Sequence, residues 1–255
     1  MDDSFLTLFD TPQKSKLQKL KARFTNYVRS LPGLVAYYPL DETAGNTALN
    51  QAPNTKGQYN GTITGATKGA SGLIGKAYSF DGSGDNVSLG DIPIISDASQ
   101  LSVVALIKTN NVTQDHYIFG NIGGAATGFF IYADDVGFET GRTNTYKIYT
   151  QVSGSTYIEG TSNLNQAGVW KMVGFTFKGS IANSGLKLYV NGLLDRSAGT
   201  SSNATVGNGN GSLTIGESPA GSLDANATIQ HLIVTTSELS ADQMLRLAQL
   251  AGLAD

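Results

Sequence analysis

The 255-residue chain has no cysteine, one tryptophan, two histidines and three methionines, and only 15% of its residues are charged. Without cysteine there is no disulfide, no thiolate zinc site and no cysteine nucleophile, so stability has to come from packing and backbone pairing. His116 and His231 stand far apart in the chain with no recognisable ligand partner beside either, which argues against histidine-centred metal chemistry. No apolar run is long enough to span a bilayer, and the opening "MDDSFLTLFDTPQKSK" lacks the apolar stretch of a secretion signal. The expectation is a protein made and folded in a cytoplasm, with no membrane span. Six Asn-x-Ser/Thr triplets begin at Asn60, Asn86, Asn111, Asn203, Asn210 and Asn226, but a chain this rich in Asn, Gly, Ser and Thr produces them by composition.

What is abundant is glycine, at 31 residues, with many Ser, Thr and Asn, a composition of short strands joined by tight turns. A length of 255 residues suits one all-β domain. The net charge of −3 is unevenly spread: residues 1–30 carry six Lys/Arg against three Asp, the remainder eleven against seventeen.

The N-terminal segment reads as one helix. Thr11 suits the N-cap and Pro12 the first helical position, Leu17, Leu20, Phe24, Tyr27 and Val28 recur on one face, and Pro32-Gly33 ends it. Between Pro12 and Ser30 all six charges are basic, Lys14, Lys16, Lys19, Lys21, Arg23 and Arg29. Such a helix can engage an acidic protein, an anionic membrane or nucleic acid; it can equally pack its stripe on its own domain or a sister subunit. As a docking element it would use Leu17, Leu20, Phe24 and Tyr27 with Lys14 and Lys21.

From Leu34 the pattern changes to short runs between Gly, Asn, Asp and Ser clusters, predicting strands near 34–40, 77–80, 86–89, 101–108, 117–120, 128–133, 137–140, 147–152, 157–159, 169–178, 186–190, 193–197, 213–215 and 228–234. Asn191-Gly192 between apolar alternations predicts a type I′ hairpin, since both central residues must take positive φ. Ser240 with Gln243, the apolar Met244, Leu245, Leu247, Ala248 and Leu250, and then Gly252 predict a short capped C-terminal helix. The division expected is a helical anchor over 1–32 and one sandwich over 33–255.

Seven stretches, "GLVAYYPLDETAG", "IGKAYSFDGSGDNVSL", "LSVVALIKT", "GVWKMVGFTFKG", "LKLYVNGLLDRSAGT", "SLTIGES" and "ELSADQM", occur in the order and spacing of a family. The set, from about Gly33 to Leu250, resembles the laminin-G-like branch of the concanavalin A-like lectin/glucanase superfamily. The resemblance implies an all-β, two-sheet antiparallel jelly-roll sandwich that binds sugars or proteins, often with one calcium ion. A leading helix running into "LPGLVAYYPLDE" further resembles laminin-G-like proteins of tailed bacteriophage virions. This implies a non-catalytic virion surface protein (capsid decoration, fibre or tail), docked by its helix to a virion structural protein or to sister subunits, with the sandwich displayed. The alternative is a carbohydrate-binding adhesion module at a bacterial cell surface, and a third reading is a glycan-active enzyme. A homotrimer is implied by analogy alone.

Several residues are candidates for chemistry. The acids of "YADDVGFET", Asp134, Asp135 and Glu139, are interrupted by Val-Gly and read as a turn, so no carboxylate pair or triad for glycoside hydrolysis stands out. For calcium, "FDGSGDN" offers Asp81 and Asp85 at alternating spacing, and Asp41 of the Asp41-Glu42 pair is the early carboxylate. The family's late carboxylate pair falls at Gln230-His231, so the resemblance implies either no cofactor or one calcium ion with a reduced ligand set. Tyr146, Tyr149 and Tyr157 in "RTNTYKIYTQVSGSTYIEG", near Arg142, read as exposed aromatics able to stack on sugar rings; ordinary edge-strand tyrosines would show the same pattern. Trp170 sits in a stretch with apolar residues on both faces and reads as core. Nothing in the acidic sandwich supports nucleic-acid binding.

Overall fold

The computed structural model describes residues 12–96, 98–121, 128–136, 142–151, 155–161, 163–179, 185–198, 205, 212–221 and 223–255, with side chains at 12–15, 135, 136, 148–151, 155–157 and 198 left aside. Helix α1 (Pro12–Arg29) is followed by β1 (Leu34–Tyr38), β2 (Thr47–Ala48), β3 (Gly61–Thr64), β4 (Thr67–Ser71), β5 (Lys76–Asp81) and β6 (Asn86–Gly90). The middle of the chain supplies β7 (Gln100–Thr109), β8 (His116–Gly120), β9 (Gly128–Val136), β10 (Thr143–Gln151) and β11 (Ser155–Glu159). The last part contains β12 (Lys171–Lys178), β13 (Leu186–Val190), β14 (Leu193–Ala198), β15 (Leu213–Ile215), β16 (Asn226–Thr235) and helix α2 (Ala241–Ala251).

These strands form two antiparallel eight-stranded sheets. The first runs β14-β13-β12-β7-β16-β5-β4, with β1 also pairing β16; the second runs β11-β10-β9-β8-β15-β6-β3-β2. The expected two-sheet jelly-roll sandwich with a helix at each end is therefore the observed architecture. Its interior is one apolar cluster built from alternate residues of both sheets, including Val103, Ala105, Ile107, Phe119, Phe129, Ile131, Val173 and Phe175.

The intervening residues of the first sheet explain why its central strands are apolar on both faces. Val104, Leu106, Met172 and Ile233 point away from the sandwich into a second cluster with Phe24, Val28, Leu31 and the α2 residues Met244, Leu247 and Ala248. The molecule is thus layered as helices, first sheet, second sheet, and α1 from Phe24 onward shares a core with residues 33–255. The boundary drawn at residue 32 does not separate two packed bodies. Trp170 is half-buried against this cluster, with Lys108 Nζ 5.6 Å from its ring centre.

Local signals act as the sequence predicts at both capped elements. Asn191 and Gly192 have φ of 49° and 79° between β13 and β14, and a Cβ at Gly192 would meet the α2 backbone. Ser240 accepts from the Gln243 amide while Gln243 reaches back to the Ser240 N–H, and Gly252 closes α2 in the left-handed region. Elsewhere the structure differs from expectation. Strands β2, β3 and β4 carry few large side chains and give no run to recognise. Asp134 and Asp135 belong to β9 rather than to a turn, because pairing with β10 extends through Thr145↔Asp134 to Thr143↔Val136. The strand expected at 137–140 and the cap at Thr11 lie outside the described residues. No described helix is long and apolar enough to cross a membrane.

Candidate functional site

The outward face of the β8–β11 meander gathers the side chains that remain after the core is filled. Phe129, Ile131, Ala133, Tyr146 and Ile158 point into the sandwich; strand alternation sends their neighbours outward. Ladder register then sets the backbone pairings across these strands. Phe130 pairs with Tyr149 and Tyr149 with Tyr157. Tyr117 pairs with Tyr132, Tyr132 with Lys147 and Lys147 with Glu159, and Asp134 faces Thr145.

Within these rows the rings touch. Tyr117 and Phe130 stack with centroids 5.8 Å apart, and Phe130 and Tyr132 lie 5.0 Å apart, both of the latter only partly buried. A Cβ at Gly120 would overlap Phe130, so the β8 end of this row has to be side-chain-free. Lys147 Nζ sits 5.8 Å from the Tyr132 ring centre, 2.5 Å from Asp134 Oδ2 and 3.6 Å from Glu159 Oε1. All three charged residues are at most 4% exposed. Such a triad has little choice of geometry: each carboxylate removed from water needs the one ammonium between them. Arg142 Nη1 donates to the carbonyls of Glu159 (3.0 Å) and Gly160 (3.5 Å), tying the start of β10 to the end of β11. The hydroxyls of Tyr117 and Thr145 are fully buried behind this face, and that of Tyr117 lies beside the Thr214 side chain.

This face only partly coincides with the residues picked from sequence. Tyr146, expected to be exposed, is 1% exposed and points into the core, because it opposes Ala133 on the inward side of the ladder; it cannot stack on a ligand. Tyr149 and Tyr157 lie in the Phe130 row by backbone register, and their side chains fall outside the described set. Phe130, Tyr132, Asp134, Lys147 and Glu159 were not picked. The period-two spacing of Phe130, Tyr132 and Asp134 in "FFIYADDV" was the signal for a common face, obscured once Asp134-Asp135 was read as a turn.

The residues expected to hold calcium have other partners. Lys21 Nζ of α1 pairs with the Asp41 carboxylate. Asp81 Oδ1 accepts from the Ser83 amide at 2.8 Å and Asp85 Oδ2 from the Asp81 amide at 2.9 Å, so both acids tie their own loop. Burial pushes the Asp85 carboxyl above its usual range. Among the described residues no cluster of three or more His, Asp or Glu could hold a metal ion. The structure therefore does not bring Asp41 together with Asp81 and Asp85 as a ligand set. Glu42 closes the first loop, accepting from Tyr78 Oη at 2.6 Å and the Leu49 amide at 2.9 Å.

Gln230 and His231 are likewise structural. Gln230 Oε1 accepts from the Leu73 and Ile74 amides, and Nε2 donates to the Ile74 and Lys76 carbonyls, both at 3.3 Å. His231, at φ 52°, sits where β16 leaves β5 and begins to pair β1. Its Nδ1 lies 2.9 Å from Tyr37 Oη and its ring 4.7 Å from that of Phe24. Burial drives the imidazole down to about 4, against the opposing pull of Asp41.

The residues expected to dock a partner divide along α1. Phe24 is fully buried, Tyr27 packs against the same cluster, and Lys21 is committed to Asp41, so these three serve their own domain. Leu17 is 42% exposed and Leu20 partly so; with Lys16, Lys19 and Arg23 they line a cavity of about 420 Å³. The Lys14 side chain lies outside the described set.

No curated protein matches the chain. Among solved structures, domain 4 of a GH43 extracellular arabinanase from Geobacillus stearothermophilus, in complex with arabinotriose, is similar at 21% identity and a TM-score of 0.60, over 85% of this chain and 98% of that one. The botulinum neurotoxin serotype D binding domain is similar at 14% identity and a TM-score of 0.59, over 89% of this chain. The serotype D ligand binding domain in complex with N-acetylneuraminic acid gives 13% and 0.61, again over 89% of this chain. The chain spans about half the length of these neurotoxin domains, 52% in both cases. At such identities the likeness is one of fold. The family profile that matches residues 81–244 covers well over half of the sequence, and by it the chain belongs to the concanavalin A-like lectin/glucanases superfamily, in its laminin G form.

Proposed function

We propose that this chain is a non-catalytic saccharide-binding module whose ligand lies on the outward face of β8–β11. The observation that carries the reading is the pair of partly buried rings of Phe130 and Tyr132, 5.0 Å apart and backed by the buried Tyr117 ring. Sugar rings offer C–H faces that stack on aromatics, and the Phe130 and Tyr132 rings supply such a platform. Two structural neighbours of the same fold were solved with saccharides, arabinotriose in one and N-acetylneuraminic acid in the other, which supports the class of ligand.

A binding role fits the carboxylates better than catalysis does. Hydrolysis needs an acid and a base or nucleophile on either side of the scissile bond, with space between them for the substrate. Between Asp134 and Glu159 stands the Lys147 ammonium. Titration calorimetry with neutral oligosaccharides on the wild type and on Tyr132→Ala tests the reading: binding should be measurable in the first and weakened about tenfold in the second, the order expected for loss of one stacking ring. Turnover of a polysaccharide would contradict it.

A second reading concerns α1. Its N-terminal half exposes Leu17 among Lys16, Lys19 and Arg23, none of which has an ion-pair partner among the described residues. This supports docking of the module to an acidic surface of a larger assembly, such as a virion structural protein, with the saccharide face displayed. Removing Lys16, Lys19 and Arg23 together should abolish attachment to the assembly while leaving saccharide binding intact.

A further inference from the structure

A cavity of about 330 Å³ opens between the end of α1 and the connection from β2 to β3, lined by Arg29, Leu49, Asn50, Gln51, Lys56 and Gly57. Its rim is accessible: Arg29, Leu49, Lys56 and Gly57 are exposed and Gln51 is partly so.

The frame of this cavity is fixed from below. Asn50, 1% exposed, accepts from the Tyr37 and Ala52 amides at 2.9 and 3.1 Å and donates to the Thr55 and Gln58 carbonyls, both at 3.1 Å. Its own carbonyl accepts from the Gly57 amide at 3.2 Å, and the Gln51 amide donates to the Tyr37 carbonyl at 2.8 Å. The connection is thereby tied to β1, and the hollow exists before any ligand enters it. On the helix side, the Ser30 and Leu31 amides donate to the Tyr27 and Val28 carbonyls, so two of the last carbonyls of α1 are already satisfied behind Arg29.

Charge around the cavity is one-sided. From residue 11 to residue 40 there is no Asp or Glu, and between Glu42 and Lys68 the only charged residue is Lys56. The two acids between these stretches are engaged elsewhere, Asp41 with Lys21, and Glu42 with Tyr78 Oη and the Leu49 amide. Lys56 has neither a hydrogen bond nor an ion pair among the described residues, and Arg29 donates one N–H to Gln51 Oε1 at 3.0 Å. A guanidinium fork with donors to spare and an unpaired ammonium therefore line one preformed hollow, the donor set that holds carboxylate and phosphate oxygens.

We propose that this cavity is a binding site for a small oxyanion, a carboxylate or phosphate carried on a compact molecule. Arg29 takes the oxygens through its fork, Lys56 supplies the second positive charge, and the exposed Leu49 side chain packs against the body of the ligand. The volume suits one small unit and not a polymer. The site uses no residue of β8–β11 and does not depend on saccharide binding there.

The test is an amide chemical-shift titration of the full chain at low salt with galacturonate, with inorganic phosphate, and with galactose, the neutral counterpart of the first. Galacturonate or phosphate should give saturable shifts at Leu49, Gln51, Lys56 and Gly57, and galactose none at these positions. Stronger binding of galacturonate would assign the site to acidic sugars, and stronger binding of phosphate to phosphorylated ligands. Lys56→Glu and Arg29→Gln, both at exposed positions, should each weaken anion binding about tenfold or more while the thermal midpoint stays in place. Lys76→Glu, an equal change of charge at an exposed position outside the cavity, should leave binding within about twofold. No saturable shift at these amides with either anion would overturn the proposal. So would galactose shifting them as galacturonate does, or anion binding that survives Lys56→Glu unchanged.

Discussion

Removing the Lys147 ammonium would leave two carboxylates buried with nothing between them, since Asp134 and Glu159 are 2% and 4% exposed. Breaking a buried pair from one side costs about 3–5 kcal/mol, because the remaining charge keeps its desolvation penalty and loses its partner. Lys147→Ala should therefore lower the thermal midpoint by many degrees, and Lys147→Ala with Asp134→Asn and Glu159→Gln should recover much of the loss; calorimetric melting of the two variants checks this. His231 makes a prediction about pH. Its imidazole is held at about 4 by burial, whereas in the unfolded chain it titrates near 6.5. Above about pH 6.5 both states are neutral and the full stability is present. As pH falls from about 6.5 to about 4 the unfolded chain takes up a proton that the native state refuses, so the native state loses about 3 kcal/mol across that window. Urea midpoints of the wild type should fall between pH 6.5 and 5. In His231→Asn, which suits the left-handed backbone, this part of the decline should be missing.

At the scale of elements, each helix owes its place to a different cause. Helix α1 begins with no acidic residue in its first turn and carries like charges along its length, so its own propensity gives little; Phe24 and Val28 in the second cluster hold it. Phe24→Ala should cost about 3–5 kcal/mol and release the helix, visible as faster amide exchange along α1 with the second sheet unaffected. Helix α2 instead carries a full capping box and a left-handed glycine stop, and Ser240→Ala should cost about 1 kcal/mol, read from the shift in the denaturation midpoint. These two helices show what local sequence can and cannot tell. The caps, the Asn191-Gly192 turn and the strand-rich pattern are written in a few adjacent residues, so they were legible. Whether Phe24 and Tyr27 face a partner or their own sheet depends on Val104, Met172 and Ile233, which lie up to some two hundred positions away, and an apolar stripe looks the same in either case.

For the molecule as a whole, the sandwich was readable and the site mostly was not. The site is a property of register between strands that meet only after folding. Tyr146 and Tyr149 look alike in sequence, yet Tyr146 opposes Ala133 and is buried in the core, while the Tyr149 backbone pairs with Phe130. Lys147 gains its role only once Asp134 from β9 and Glu159 from β11 arrive on either side of it. Asp41 was an equally plausible metal ligand until α1 brought Lys21 onto it. The resulting architecture places helix α1 on the outer side of the first sheet and the Phe130–Tyr132 face on the outer side of the second, so the proposed docking and saccharide surfaces lie on opposite faces. The most direct test of the central claim is an amide chemical-shift titration of the full chain with arabinotriose. Saccharide binding on the outward face predicts saturable shifts concentrated at Tyr117, Phe130, Tyr132, Thr145 and Lys147, lost in Tyr132→Ala. Shifts confined to other parts of the molecule, or none at saturating sugar, would contradict it.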